Sequence, residues 1–395
     1  MKNLTLRYSL TQFAHWASSS GAAAFATTYL LGKGIPSGLV GTLLASAGLL
    51  SCLTQPVLAS AADRAKGFVL IKMLLAMSAV CCVCFSVQLI PGLPLLLVGI
   101  FYIMAVWSSD AMVPLLNALS VAYNQSGCPI NYGASRGIGS AATAISSLVL
   151  GYVIAQFGTP WMILFLLGFR VIYMIVLVGY PAIQKETAFS QDPGASCSIP
   201  KFFSSYRWYC VSLLGILFLG MYHAMTENYL IVILERLGGD SSHVGTALFI
   251  SAMVGAPVIF CFSRIRKHSS DTRLLKIAAA SFLLKAVLFW FAKDIAAIYL
   301  IQLLQITSYA FLAPTQVYYA NAKVRSGDMV KGQAFITAAY ALGCSAGNFA
   351  GGQLLGLGVE AILLAGILMA LAGAVVLFST VNRADTVLFI GEENQ

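Results

Sequence analysis

Seven of the ionisable side chains within otherwise apolar stretches of this sequence are candidates for a function, because a charge in lipid needs a physical reason. They are His15, Asp110, Arg136, Arg170, His223, Glu227 and Lys285. A charged residue at the centre of a bilayer costs roughly 2.5–3.5 kcal/mol on insertion scales. Residues that carry this cost bind a solute, exchange protons or form internal ion pairs, so these seven are the candidates for a functional site.

His223 and Glu227 are four residues apart and therefore share one face of a helix. A carboxylate and an imidazole one turn apart are suited to passing a proton. The alternative is that Glu227 lies shallow enough to meet water, while His223 is hydrogen-bonded inside the protein. The spacing favours a proton-coupling role for both residues, with Glu227 as the stronger member of the pair.

Asp110 follows Trp107-Ser108-Ser109 near the middle of an apolar stretch. It can serve as a protonatable carboxylate for proton coupling or as a ligand for a substrate. The alternative is a structural ion pair with a basic residue of a neighbouring helix, such as Arg136 or Arg170. Whether Arg170 and Lys285 are functional or structural is left open by the sequence.

Three further residues are candidates to contact a substrate. His15 lies among polar residues of the first apolar stretch, and Gln305 and Tyr309 lie in a later stretch with other amides and tyrosines. An amide can hydrogen-bond a sugar or a base, and a tyrosine ring can stack on either. We therefore predict a substrate-binding role for all three.

The composition identifies lipid as the solvent of this protein. Hydrophobic residues make up 59% of the 395 residues and charged residues 9%, whereas a soluble protein is about one-quarter charged. The formal net charge of +9 is explained by a bias of Lys and Arg toward cytoplasmic loops, rather than by nucleic-acid binding. The sequence has no Gly-x-x-x-x-Gly-Lys loop, which argues against ATP-driven transport, and no Cys/His metal spacing. It also lacks the clustered His, Asp and Glu at a membrane face that a membrane enzyme would show, so we predict no cofactor, no metal and no enzymatic activity.

Twelve apolar segments, each long enough to cross a bilayer, are predicted to form transmembrane helices. They are 8–31, 37–60, 68–90, 93–120, 132–157, 160–181, 208–234, 243–263, 274–292, 295–321, 332–356 and 359–381. The polar interval 182–206 separates the sixth segment from the seventh and is typical of a linker. The predicted domains are a six-helix bundle over 1–181 and a second bundle over 207–395.

The two sets of six segments repeat several features in the same order. Val40-Gly41-Thr42 recurs as Val244-Gly245-Thr246, and Pro114 in the fourth segment is matched by Pro314 in the tenth. A duplicated layout of this kind is expected for a transporter that binds its solute between the two halves. Lys and Arg concentrate on the side of the N-terminus, which predicts a plasma-membrane protein with both termini in the cytoplasm and the linker on the same side.

Three short motifs carry a family resemblance. Tyr132-Gly133-x-x-Arg136-x-x-Gly139-Ser140 opens the fifth segment, Asp63-Arg64 follows the second, and Glu235-Arg236-Leu237-Gly238-Gly239 ends the seventh. Because of these motifs and the duplicated layout, the whole chain resembles the major facilitator superfamily. It resembles in particular the superfamily's proton symporters for sugars, nucleosides and aromatic acids, such as lactose permease. The resemblance implies the fold of that superfamily, which is all-α, integral to the membrane and built from twelve transmembrane helices in two pseudo-symmetric six-helix bundles.

The resemblance also implies roles for individual residues. Arg136 matches the arginine with which lactose permease binds sugar, and Asn117 lies close to the position of that arginine's carboxylate partner. Asp63 and Arg64 match residues that gate the conformational change.

The implied function is proton-coupled uptake of a small polar solute, such as a sugar, an oligosaccharide or a nucleoside, by a monomer in the lipid bilayer. One alternative is an efflux carrier for drugs or metabolites. A less favoured alternative is a polytopic membrane protein that does not transport.

Overall fold

Apolar segments of this length have to be helical in lipid, because a helix satisfies its backbone hydrogen bonds internally. The computed structural model describes residues 4–64, 67–181 and 198–383, and this part of the chain is all-helical. The predicted fold class is therefore confirmed. Of the predicted linker, residues 182–197 lie outside the described residues.

The helices of the described chain follow the predicted segments closely. Up to residue 181 they are α1 (Leu4–Ala24), α2 (Ala26–Gly32), α3 (Ser37–Arg64), α4 (Gly67–Val87), α5 (Leu95–Gln125), α6 (Tyr132–Phe157) and α7 (Thr159–Val178). From residue 198 they are α8 (Ile199–Ser205), α9 (Arg207–Glu227), α10 (Leu230–Glu235), α11 (Ser241–Phe260), α12 (Phe262–Arg266), α13 (Asp271–Phe291), α14 (Ile295–Gln302), α15 (Tyr309–Lys323), α16 (Met329–Leu355) and α17 (Val359–Thr380). Short 3-10 helices occupy Leu303–Ile306 and Ser326–Asp328.

Ten segments of the described chain are long and apolar enough to cross a membrane, judged by length and hydropathy. They correspond to the second to tenth and the twelfth of the predicted segments. The first predicted segment is α1 with α2, and the eleventh is α16. Both are helical but richer in small and polar residues than the others.

Four of the predicted segments are interrupted, which the hydropathy pattern did not predict. The first is broken at Phe25, the seventh at Asn228 and Tyr229, the eighth at Cys261, and the tenth between Gln302 and Tyr309. Interrupted helices in membrane transporters line cavities or binding sites, because the freed backbone groups need polar partners there. The side chains around these breaks are therefore candidates to line a cavity or a binding site.

Contacts between Cα atoms divide the described chain into two compact units. The first contains the residues up to 181 together with Asn228–Ala252, and the second contains 198–227 and 253–383. In the first unit α6 packs along α1, and α5 packs against α3 and α4. In the second unit α16 and α17 pack along α9, and α13 packs against α15 and α17.

The packing of α9 on α16 depends on glycine. A Cβ atom on Gly343 would collide with the carbonyl oxygen of Leu217, and one on Gly347 would collide with that of Met221. Small residues of this kind let the backbones of two helices touch, which is how helices associate strongly in lipid. The glycine repeat of the eleventh segment thus sets the distance between these two helices.

Candidate functional site

The charged and polar candidates gather into two clusters, one within each compact unit. The first is built by side chains of α1, α5, α6 and α7, and the second by side chains of α9, α13 and the interrupted tenth segment. Each cluster combines residues that are far apart in the sequence.

Arg136 lies in the second turn of α6. Asn131 caps the start of this helix, since its Oδ1 accepts a hydrogen bond from the backbone nitrogen of Ala134 at 3.0 Å. The Arg136 guanidinium carbon lies 4.2 Å from the centre of the Trp16 ring, and Nη1 donates to Ser140 Oγ at 3.3 Å. The face of an indole attracts a guanidinium by about 0.5–2 kcal/mol, depending on burial. Arg136 is thus held against the side of α1.

The indole can lie there because residue 139 is glycine. A Cβ atom on Gly139 would lie 2.6 Å from Trp16 Cδ1 and 3.3 Å from Trp16 Nε1. The shorter distance is well inside van der Waals contact. Any larger residue at this position would displace the ring on which Arg136 lies.

A chain of hydrogen bonds along α1 fixes the indole. Trp16 Nε1 donates to Gln12 Oε1 at 2.8 Å, and Gln12 Nε2 donates to the Tyr8 hydroxyl at 2.9 Å. The Tyr8 hydroxyl in turn donates to the Leu116 carbonyl of α5 at 3.0 Å. Since the three α1 residues are spaced by four, they share one face of the helix. This face holds the aromatic surface in a single orientation.

Asn117 of α5 joins this cluster through a tyrosine. Its Oδ1 accepts a hydrogen bond from the Tyr132 hydroxyl at 3.1 Å, and the Tyr132 ring is 6.4 Å from the Tyr8 ring. The predicted association of Asn117 with Arg136 therefore runs through the aromatic residues between them.

Arg170 of α7 is completely buried. Its Nη2 donates to Ser109 Oγ at 2.8 Å, and its Nη1 lies 3.4 Å from His15 Nδ1. Arg170 Nε, His15 Nε2 and the hydroxyl of Tyr173 are buried without a hydrogen-bond partner. A buried charge costs several kcal/mol unless it is compensated, so a carboxylate that interacts with Arg170 matters.

That carboxylate belongs to Asp110, which interacts electrostatically with Arg170. The hydrogen bond of Asp110, however, comes from Ser51 Oγ of α3, which lies 3.4 Å from Oδ2. Arg170 bonds instead to the adjacent Ser109. The structure thus places Asp110 and His15 in the surroundings of Arg170, and the His15 ring contacts Trp16 edge-on at 5.3 Å.

In the second unit, Glu227 of α9 and Lys285 of α13 form an ion pair. Lys285 Nζ donates to Glu227 Oε1 at 2.9 Å, with the side chains 1% and 13% exposed respectively. The same ammonium donates to Gln305 Oε1 at 3.2 Å. Lys285, whose role the sequence leaves open, is therefore the direct partner of the predicted proton-coupling acid, and Gln305 belongs to the same group.

His223 lies one turn before Glu227, and its imidazole stacks on the Tyr309 ring. The ring centres are 5.1 Å apart and the planes differ by 9°. Tyr340 of α16 lies 6.2 Å from the imidazole and 6.3 Å from the Tyr309 ring. The structure brings together His223, predicted to couple protons, and Tyr309, predicted to contact substrate.

α3 ends at Arg64, and the side chains of Asp63 and Arg64, predicted to act as a gate, lie outside the described residues. The short motifs of the sequence do not predict the support of Arg136 by Trp16 or the break before Tyr309. The polar run at Gln302, Gln305, Thr307 and Ser308 is the signal that points to the break in retrospect.

Comparisons with known proteins agree with this architecture. The profile of the MFS_1-like family matches residues 5–365, whereas no curated protein matches the sequence. A mutant of the nucleoside transporter NupG has a similar structure, with a TM-score of 0.81 and 13% identity over 96% of this chain and 99% of its own.

Two further solved structures are similar over nearly the whole chain. An auto-inhibited POT family peptide transporter has a TM-score of 0.71 and 9% identity, over 95% of this chain and 96% of its own. A D-xylose-proton symporter has a TM-score of 0.67 and 12% identity, over 94% of this chain and 96% of its own. At these identities the likeness shows a shared fold.

Proposed function

This chain belongs to the MFS_1-like family and is a secondary transporter of the major facilitator type, and on that premise we propose that it takes up a small polar solute together with protons. The solute class is a sugar, an oligosaccharide or a nucleoside. The protein acts as a monomer in the plasma membrane with both termini in the cytoplasm. The bundles over 1–181 and 207–395, joined by the linker 182–206, alternate access to the solute, and Asp63 and Arg64 gate this change.

The observation that carries the proton coupling is the buried pair of Glu227 and Lys285. An ion pair taken out of water is weak evidence for stability, because desolvation offsets much of the attraction. The Glu227 side chain is 13% exposed and the Lys285 side chain beside it is 1% exposed. This environment suits a carboxylate that binds and releases a proton. Two further residues assist in proton coupling. His223 interacts with Glu227 on α9, and Asp110 interacts with Arg170 in the other unit.

The solute-binding role falls mainly to Arg136. A guanidinium 4.2 Å from the centre of an indole ring presents planar donors beside an aromatic surface, and this combination suits a ring that carries hydroxyl groups. Asn117 and His15 add polar groups around it, and in the second unit Gln305 and Tyr309 supply an amide and a ring.

Counterflow in proteoliposomes tests the proposal. Purified protein is reconstituted and assayed with labelled sugars, nucleosides and aromatic acids, with and without an inward proton gradient. We expect exchange of one solute class without a gradient, and accumulation above equilibrium only with the gradient. A protonophore should abolish accumulation and leave exchange intact. A folded protein that exchanges none of these solutes, or accumulates one regardless of the gradient, contradicts the proposal.

A further inference from the structure

The tenth apolar segment is not a continuous helix. α14 ends at Gln302, a 3-10 helix follows over Leu303–Ile306, and α15 begins at Tyr309. At Ser308 the backbone has φ −87° and ψ −96°, outside the helical region. A 3-10 stretch within a long helix often marks a hinge. The side-chain contacts that hold residues 303–308 therefore determine how this stretch can move.

The break is fastened to α13 by two side chains one turn apart. Ser281 Oγ donates to Thr307 Oγ1 at 2.8 Å, and Lys285 Nζ donates to Gln305 Oε1 at 3.2 Å. Because residues 281 and 285 share one helix face, α13 contacts the break at two points along its length. One of these contacts is uncharged, and the other depends on an ammonium group.

The face of α9 that carries Glu227 reaches the break in two ways. Glu227 holds the same Lys285 ammonium, at 2.9 Å from Oε1. His223, one turn earlier, stacks on Tyr309, the first residue of α15. Glu227 thus contacts the break itself through Lys285 and Gln305, and His223 directly contacts the first residue after it.

We propose that Lys285 is a positioning residue that transmits the protonation of Glu227 to the break at 303–308. The inference rests on the proposed proton coupling. When Glu227 binds a proton, its carboxylate becomes a neutral carboxylic acid while Lys285 keeps its own charge. The ammonium, which is almost completely buried, has then lost the negative charge that compensated its desolvation, and it leaves its position between Glu227 and Gln305. Its bond to Gln305 is lost and the break loosens.

The other titratable groups around Glu227 do not replace this link. They are His223 and Tyr222 of α9 itself and Tyr340 of α16. His223 is stacked on Tyr309, and a phenol supplies no permanent positive charge. Within the described residues, Lys285 is the group that binds both the acid and the tenth segment.

Hydrogen–deuterium exchange of the purified full-length protein tests the link without any substrate. Peptides covering residues 303–308 are followed in the wild type, Glu227→Gln, Gln305→Leu and Lys285→Met. We expect exchange at least about tenfold faster in Glu227→Gln and in Gln305→Leu, a factor that corresponds to about 1.4 kcal/mol. Gln305→Leu keeps the ion pair, so it reports on the link even if Lys285→Met fails to fold.

Gln302→Leu is the matched control. Gln302 lies three residues before Gln305, is also buried, and has neither amide atom hydrogen-bonded. Hydrogen–deuterium exchange over residues 303–308 in Gln302→Leu should therefore equal that of the wild type.

The outcomes separate this inference from the proposed function. Wild-type exchange in Glu227→Gln would overturn the inference, even if proteoliposomes show proton-driven uptake. Equal exchange in Gln305→Leu and Gln302→Leu would overturn it as well. Faster exchange in both Glu227→Gln and Gln305→Leu, in a protein that shows no proton-driven accumulation, would refute proton symport and leave the link from Glu227 to the break standing.

Discussion

Phe25 and Tyr229 interrupt the first and seventh apolar segments with nearly the same backbone conformation. The angles are φ −107° and ψ 15° at Phe25, and φ −107° and ψ 16° at Tyr229. Each residue separates a helix of 21 residues from a short one of 7 or 6 residues. The long helix before each break packs along a glycine-containing helix, α1 on α6 and α9 on α16. A transporter built from two related sets of six helices is expected to repeat its local features in this way.

The contact between Gly139 and Trp16 gives the first prediction. In Gly139→Ala the new Cβ would lie 2.6 Å from Trp16 Cδ1, so the indole has to move and Arg136 loses its aromatic support. We expect the free energy of unfolding to fall by about 1–3 kcal/mol, as in other overpacked sites, and solute exchange to weaken. Thermal unfolding in detergent and counterflow measure the two effects.

Gly137 on the same helix is the control for this substitution. A Cβ atom there has no neighbour within 4 Å, and alanine is favoured over glycine inside a helix by about 0.5–1 kcal/mol. Gly137→Ala should therefore keep or raise the melting temperature. Equal losses in the two variants would show that the contact with Trp16 is not the cause.

The α9–α16 crossing gives a second prediction. In Gly347→Ala the added methyl group meets the Met221 carbonyl oxygen, which belongs to the backbone and cannot rotate away. The two helices have to separate, and we expect a loss of about 1–3 kcal/mol in the free energy of unfolding. Gly168→Ala in α7, where a Cβ has open space, should be unaffected. Similar melting temperatures for the two variants would contradict this account of the packing.

The positions of the helices could be predicted from the sequence because lipid leaves an apolar segment few alternatives. Arg136 could be singled out because its motif combines an arginine with glycines at Gly133 and Gly139. Both features depend on residues that are close together in the chain. A local pattern is enough to reveal them.

The rest of the site depends on contacts between distant residues, which a single sequence does not reveal. Lys285 is 58 residues from Glu227, and Arg170 is 61 residues from Ser109. The break in the tenth segment is fastened by Ser281 and Lys285 of another helix. Hydropathy treats this break as part of one long span, because the side chains that stabilise it lie elsewhere.

The ion pair itself gives a third prediction. Removing one member of a buried pair leaves the other charge unpaired and costs about 3–5 kcal/mol, so Lys285→Met should be destabilised by that amount. The double variant Glu227→Gln/Lys285→Met carries no unpaired charge and should recover much of the loss. Unfolding titrations in mixed micelles measure all variants.

Lys276→Met in the same helix is the control. Lys276 bonds to Asn382 in an exposed position, and we expect a change within about 0.5 kcal/mol. A double variant as unstable as the sum of its two single variants would argue against a direct interaction between Glu227 and Lys285.

The last prediction concerns transport. Glu227→Gln keeps the shape of the side chain, but the amide is neutral and cannot bind and release a proton at neutral pH. Accumulation driven by a proton gradient should be lost, whereas exchange down a solute gradient should persist, because exchange requires no net proton movement. Glu235→Gln is the matched control, since Glu235 ends α10 in an exposed position, and it should accumulate solute as the wild type does. Accumulation that survives in Glu227→Gln would assign proton coupling to another residue, with Asp110 beside Arg170 the first to be tested in the same assay.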